Sequence, residues 1–258
     1  MTALRLDDLR EQLIRQEETI IFALIERAQF KRNLPIYEPG AFRLPGFAGC
    51  FSDWMLRETE CAHAKVRRYT SPDEHPYFDE LPAPILPPMA YTQTIRPNRI
   101  NLNKLIREIY RERMLPLICE PGDCGNYGSS AVCDVACLQA LSKRIHYGKF
   151  VAEAKFQAEP GRYTELIRGG SGGSKAILDA LTNAAVEEKL LRRVELKGAT
   201  YGQDVDVDRA ARRFKIPPDV IKVIYRDWIV PLTKEVEVLY LLERLDPEAP
   251  AAGAGPGR

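Results

Sequence analysis

The stretch from Leu138 to Gln157, LQALSKRIHYGKFVAEAKFQ, constrains the fold more than any other part of the chain. Its apolar residues return with helical period, and two cations, Arg144 and Lys155, interrupt the apolar face. They stand eleven residues apart. At ~3.6 residues per turn that is close to three whole turns, so both side chains leave the helix on one side, roughly 16 Å apart along its axis. Gly148 and Val151 lie between them on the same stripe. A mid-helix glycine costs roughly 0.5–1 kcal/mol relative to alanine. Here it clears space between two long basic arms, and two converging cations over a small floor suit a compact ligand with two carboxylates.

Helical period extends over nearly the whole chain, which predicts an all-α fold: one helical bundle spanning residues 1–245, followed by a low-complexity, disordered tail, 246–258 (DPEAPAAGAGPGR from Asp246). The first helix is expected from about Leu6 to Lys31. A second, capped by Ser52 or Asp53, should run to Tyr69. The prolines of SPDEHPYFDELPAPILPP exclude regular helix and central strand. Further helices are expected over Asn101–Met114 (ended or kinked at Pro116), Ala131–Ala158, Ser174–Leu196, briefly Asp204–Phe214, and Asp219–Leu245, the last started by Pro217 and Pro218 and bent at Pro231. EPGDCGNYGSS reads as a loop. No internal repeat and no alternating strand stand out.

The charge balance, 37 basic against 36 acidic residues, argues against a general nucleic-acid or membrane-surface binder. No apolar run approaches the ~20 residues of a membrane-spanning helix. The N-terminus, MTALRLDDLREQLIRQEE, is charged from the start and has the look of neither a secretory signal nor a transit peptide. The six cysteines lack metal spacing; Cys133 and Cys137, four apart on a helix, read as plain buried or half-buried thiols. A cytoplasmic, reducing setting is therefore expected. His146, two residues past Arg144, falls on another helix face and reads as a solvated or core histidine.

Polar groups inside apolar stripes carry the functional signal. Arg10 is flanked by Leu6, Leu13 and Ile14. Asn183 and Glu187 are four apart, on a stripe through Ala176, Ala180, Leu190 and Leu191. Thr233 and Glu237 repeat that spacing among Ile229, Val230 and Leu241. Burying such groups without partners costs several kcal/mol for charges. Either they pair into internal salt bridges, or they line a ligand cavity between helices. A second constellation pairs Arg67 and Arg68, at the end of the second helix, with Gly128 and Ser129, whose backbone N–H groups open the long helix. It reads as helix-end charge or as a carboxylate site.

The blocks LREQLIRQEETIIFALIERAQF, SPDEHPYF, CLQALSKRIHYGKFVAEAKFQ, LTNAAVEEKLL and VPLTKEVEVLYLLERL, in this order, resemble the all-helical chorismate mutases of fungi and plants over most of Leu6–Leu245. The resemblance implies that Arg10, Arg144 and Lys155 bind the carboxylates and ether oxygen of chorismate, and that Asn183, Glu187, Thr233 and Glu237 complete the pocket. It implies a homodimer that needs no cofactor or metal. It also implies an interface site for tyrosine as inhibitor and tryptophan as activator, built from segments 60–75 and 122–135 with Arg67, Arg68, Gly125, Asn126, Gly128 and Ser129. Val132 and Pro217 depart from the regulated fungal pattern, which has Thr at both. The alternative is a non-catalytic helical module that binds an aromatic amino acid.

Overall fold

Helical period becomes helix almost throughout the computed structural model, which describes residues 4–92, 94–169, 173–203 and 213–246. The expected short helix at 204–214 and the tail fall largely outside those residues. Helix α1 (Leu6–Arg27) has Asp7 and Asp8 in its first turn and Arg27 in its last, each suited to the nearby dipole end. It stops short of Lys31 for a specific reason. The buried Arg27 guanidinium donates to the carbonyls of Phe30 (3.2 Å), Lys31 (3.1 Å) and Arg32 (3.0 Å), folding the chain back on itself.

Helix α2 (Phe51–Lys65) has no side-chain cap. The expected caps are engaged elsewhere: Ser52 donates to Asp134 (3.3 Å), and Asp53 takes Arg107 and Arg111 (2.9 Å each). Nor does α2 reach Tyr69, because Arg67 adopts a left-handed φ of 67° before a 3-10 turn, Arg68–Thr70. The proline-rich segment after it forms no regular helix or strand.

Two helices share an unusual construction. α3 (Asn103–Ile109) runs through a π-turn, Tyr110–Met114, into α4 (Leu115–Ile118). α10 (Pro218–Ile224) runs through a π-turn, Tyr225–Ile229, into α11 (Val230–Glu243). Leu115 N donates to Tyr110 O, and Val230 N to Tyr225 O, five residues back in both cases. Pro116 and Pro231 follow immediately. A proline inside an α-helix lacks a donor and clashes with the carbonyl four residues earlier. The wider turn relieves that clash, so the chain passes Pro116 instead of ending there. The matching sequences, YRERMLP and YRDWIVP, are an internal repeat that hydrophobic period alone does not reveal.

Helix α5 (Tyr127–His146) begins before Ala131, so GSS of the expected loop forms its first turn. The expected long helix is divided at Tyr147 (ψ −15°), beyond which α6 (Gly148–Ala158) continues. α7 (Pro160–Arg168), unforeseen, starts with proline at its first position. The expected Ser174–Leu196 helix is likewise two, α8 (Gly173–Leu181) and α9 (Ala184–Tyr201). Helix α5 packs on α1 and α2, and α6 on α11. Between α1, α2 and α5 lies a buried polar cluster. Asp134 accepts from Arg27 Nε (2.7 Å), Tyr37 (2.6 Å), Tyr110 (2.7 Å) and Ser52, and both ions of the Arg27–Asp134 pair are fully buried. Among the described residues there is no strand, only an isolated bridge between Gln203 and Phe214. No described helix is long and apolar enough to cross a membrane. All six cysteines are free; Cys137 is buried and Cys133 half-buried.

Candidate active site

A cavity of about 360 Å³ opens between α1, α5, α6, α7, α8, α9 and α11, and all seven pocket candidates line it. Arg144 comes from the last turn of α5 and Lys155 from α6, so the near-integral spacing survives the interruption at Tyr147. Gly148 between them does more than clear the way for two arms. A Cβ there would lie 2.7 Å from the Thr233 carbonyl oxygen and 3.3 Å from Glu237 Cγ. The bare glycine lets the backbone of α11 press against α6 and brings Thr233 and Glu237 to the cavity.

Arg144 is 3% exposed. Its Nη1 donates to Thr233 Oγ1 (3.2 Å), and Thr233 in turn donates to Ile229 O (2.6 Å), a carbonyl of the π-turn. Arg144 Nε is buried with no partner, and among the described residues no carboxylate forms an ion pair with this guanidinium. Burial lowers its affinity for a proton from the usual guanidinium value, with Glu17 and Glu237 partly offsetting the effect from a distance. Lys155 donates to Leu181 O (3.0 Å) and to Glu237 Oε2 (3.2 Å). Glu237 is buried, and burial raises its pKa despite the opposing attraction of Lys155 and Arg144.

Three residues differ from their sequence-based setting. Arg10 is not buried in an apolar stripe: its side chain is 57% exposed at the cavity rim and pairs with Asp7 (2.7 Å). Asn183 and Glu187 do not share one continuous helix. Asn183 is the N-cap of α9, its Oδ1 accepting from Val186 N (3.1 Å), and Glu187 follows in the first turn. Asn183 is exposed and Glu187 half-buried, so this side of the cavity opens to solvent. Sequence reading missed Lys234, which holds Glu187 at 2.6 Å, and Tyr163 and Arg162 on α7. Lys234 stands beside Thr233, and Pro160 was the available signal for α7.

The second constellation is not assembled within this chain. Arg68 binds Glu74 (3.0 Å), His63 (3.0 Å) and Gln139 (3.0 Å). Gln139 lies about 15 Å along α5 from Ser129, so Arg68 is not beside the GNYGSS segment. Arg67 donates to Pro87 O. Gly125 (φ 73°), Asn126, Gly128 and Ser129 form the exposed entry to α5.

The cavity sets a buried, partly unpartnered guanidinium and an ammonium against a carboxyl that burial drives toward its neutral form. Fold and cavity define an all-helical protein with a cationic small-molecule cavity between its helices. Residues 126–238 match the family model of chorismate mutase type II. The chloroplastic chorismate mutase 1 of Petunia hybrida is 51% identical over 248 residues, 93% of this chain and 76% of that relative. Aro7p chorismate mutase from Candida albicans, solved in complex with L-Trp, superposes with a TM-score of 0.91 at 44% identity, covering 96% of this chain and 94% of that one. AtCM1, solved with tyrosine bound in its allosteric site, gives 0.85 at 50% identity over 95% and 98%. The chain belongs to the chorismate mutase family and is an isomerase.

Proposed function

We propose that the chain, as one mutase domain over residues 1–245, converts chorismate to prephenate for phenylalanine and tyrosine synthesis, with Arg10, Arg144, Lys155, Asn183, Glu187, Thr233 and Glu237 as its working residues. The observation that carries the assignment of roles is Arg144: a buried guanidinium with an unpartnered N–H, no carboxylate of its own, and a cavity beside it. A substrate carboxylate supplies the missing charge and acceptor. The reaction is an intramolecular Claisen rearrangement, in which the ether C–O bond breaks as a C–C bond forms. The protein's tasks are to hold the compact diaxial conformer and to stabilise charge growing on the ether oxygen. Arg144 clamps one carboxylate from inside. Arg10 swings from Asp7 to close over the other. Lys155 donates to the ether oxygen, and Glu187 accepts from the ring hydroxyl while Lys234 holds it in place.

Glu237 faces that oxygen as a neutral acid. Burial already raises its pKa, and a bound dianion raises it further. The proposal extends to a cytoplasmic homodimer, inhibited by tyrosine and activated by tryptophan at an interface that brings Arg67 and Arg68 of one protomer to Gly125, Asn126, Gly128 and Ser129 of its partner. The separation of these groups within a protomer supports that reading, as does Val132, 57% exposed on the same stretch of α5.

Loss of chorismate ultraviolet absorbance, followed with purified protein and with tyrosine or tryptophan added, tests all of this together with light scattering for mass. Turnover that responds oppositely to the two amino acids is expected from a dimer. Amino-acid binding without turnover would instead establish the non-catalytic module.

A further inference from the structure

A second cavity, about 560 Å³, lies between residues 69–76 on one side and 91–92 and 94–98 on the other, with Lys149 of α6 in its wall. Lys149 is two-hundredths exposed, at 2%. Its Nζ donates to Ile100 O (2.6 Å) and to His75 Nε2 (2.8 Å). Among the described residues no carboxylate pairs with it, and the one acid that acts on it electrostatically is Glu243. Burial pulls this ammonium down to about 7.

The neighbouring rings supply no counter-charge. His146 Nε2 accepts from Leu102 N (2.9 Å), so its proton lies on Nδ1 and is donated to Ser142 O (2.8 Å). That bonding assigns a neutral ring. His75 stacks on His146 with centroids 4.3 Å apart. Since His75 Nε2 accepts from Lys149, its proton also lies on Nδ1, which is buried and has no partner. The acid in the cavity wall, Glu74, is committed to Arg68 (3.0 Å) and Lys143 (2.8 Å). The cavity wall therefore holds a buried Nδ1–H of His75 with no acceptor, and a Lys149 amine whose two partners, Ile100 O and His75 Nε2, are both neutral. Uncompensated donors of this kind are costly unless something fills the gap. Tyr69, Tyr91, Ile95 and Pro97 add walls of ring size, and the volume is that of a small-molecule site.

We propose that this cavity binds a small organic anion, a carboxylate or phosphate monoester carried on a ring, with its charge on Lys149 and His75 and its ring against Tyr69 and Tyr91. The site is separate from the catalytic cavity: Lys149 and Lys155 leave α6 about 120° apart. It stands whether or not the roles proposed above hold.

Isothermal titration of the full chain with phenyl phosphate and with 4-hydroxybenzoate tests the proposal and distinguishes the two head groups. At least one is expected to bind with a Kd of ~1 mM or tighter, one per chain. Lys149→Met should weaken that binding at least ~10-fold, while Arg144→Met, which disables the catalytic cavity, should leave it intact. Absence of binding by both compounds, or binding indifferent to Lys149→Met, would overturn the proposal. A measurement on the unmutated chain covers the case in which Lys149→Met does not fold. Ring-nitrogen NMR of the unmutated chain should show the His75 signals shifting as the binding compound is added; unchanged His75 signals at saturation refute the site.

Discussion

Gly148→Ala puts the packing argument at its sharpest. In an isolated helix the change helps, by roughly 0.5–1 kcal/mol. Here the new Cβ meets Thr233 O at 2.7 Å and Thr233 Cγ2 at 3.2 Å. Relief requires α11 to retreat from α6 by roughly 0.5 Å, since comfortable contacts begin nearer 3.5 Å. Overpacking of this kind costs about 1–3 kcal/mol. Setting about 2 against a gain of about 0.75 leaves a net loss near 1 kcal/mol, or roughly 3 °C in Tm for a chain of this size. Activity should suffer more than stability. The retreat carries Thr233 and Glu237 away from Arg144 and Lys155, and since a 1 Å misplacement can cost ~100-fold, half that shift predicts ~10-fold in kcat. Melting followed by circular dichroism and turnover followed by chorismate absorbance measure the two effects. A Tm above that of the parent, with kcat unchanged, would show that the glycine serves neither the close approach nor the site.

Three further outcomes follow from particular contacts. Activity should fall as pH rises through the raised pKa of Glu237, because the ionised form grows above that value, and Glu237→Gln should flatten this alkaline loss; an unaltered pH–kcat/KM profile in the variant would remove Glu237 from the role. Lys155→Ala should lower kcat at least ~100-fold, through loss of the donor to the ether oxygen, and a loss under ~5-fold in steady-state assays would count against its placement. Asp134→Ala leaves the Arg27 guanidinium buried with no carboxylate, at a cost of about 3–5 kcal/mol. Thermal denaturation should show a drop of roughly 6–20 °C or outright failure to fold, and a drop below ~2 °C would mean that the cluster is stabilised from elsewhere.

Side chains whose position depends on one helix were legible before the structure. Arg144 and Lys155 reach one cavity because eleven residues make three turns, and Thr233 and Glu237 because four make one. Asn183 and Glu187 reach it for a different reason from the one their spacing suggests, since the chain breaks at Thr182 and Asn183 becomes a cap. On either side of the break α8 packs on α7 and α11 and α9 on α1 and α10, contacts that periodicity does not record. Arg10 sits on an amphipathic stripe, yet the rim leaves it in solvent. Arg27 and Asp134, a fully buried ion pair, were invisible because neither interrupts its stripe conspicuously and they are 107 residues apart in sequence. The distance from Arg68 to Ser129 depends on how α2 lies along α5, a quantity that no local pattern contains.

The π-turn at Tyr225–Ile229 sets the rotational phase of everything after it. One additional residue in a helical turn rotates the following side chains by about 100° relative to an uninterrupted helix. Thr233 and Glu237 therefore face Arg144 and Lys155 only because Pro231 holds that widened turn in place. The fold treats a single backbone irregularity as a dial: return it to ordinary winding, and the helix could still form and pack an apolar stripe, but it would present a different row of residues to the substrate.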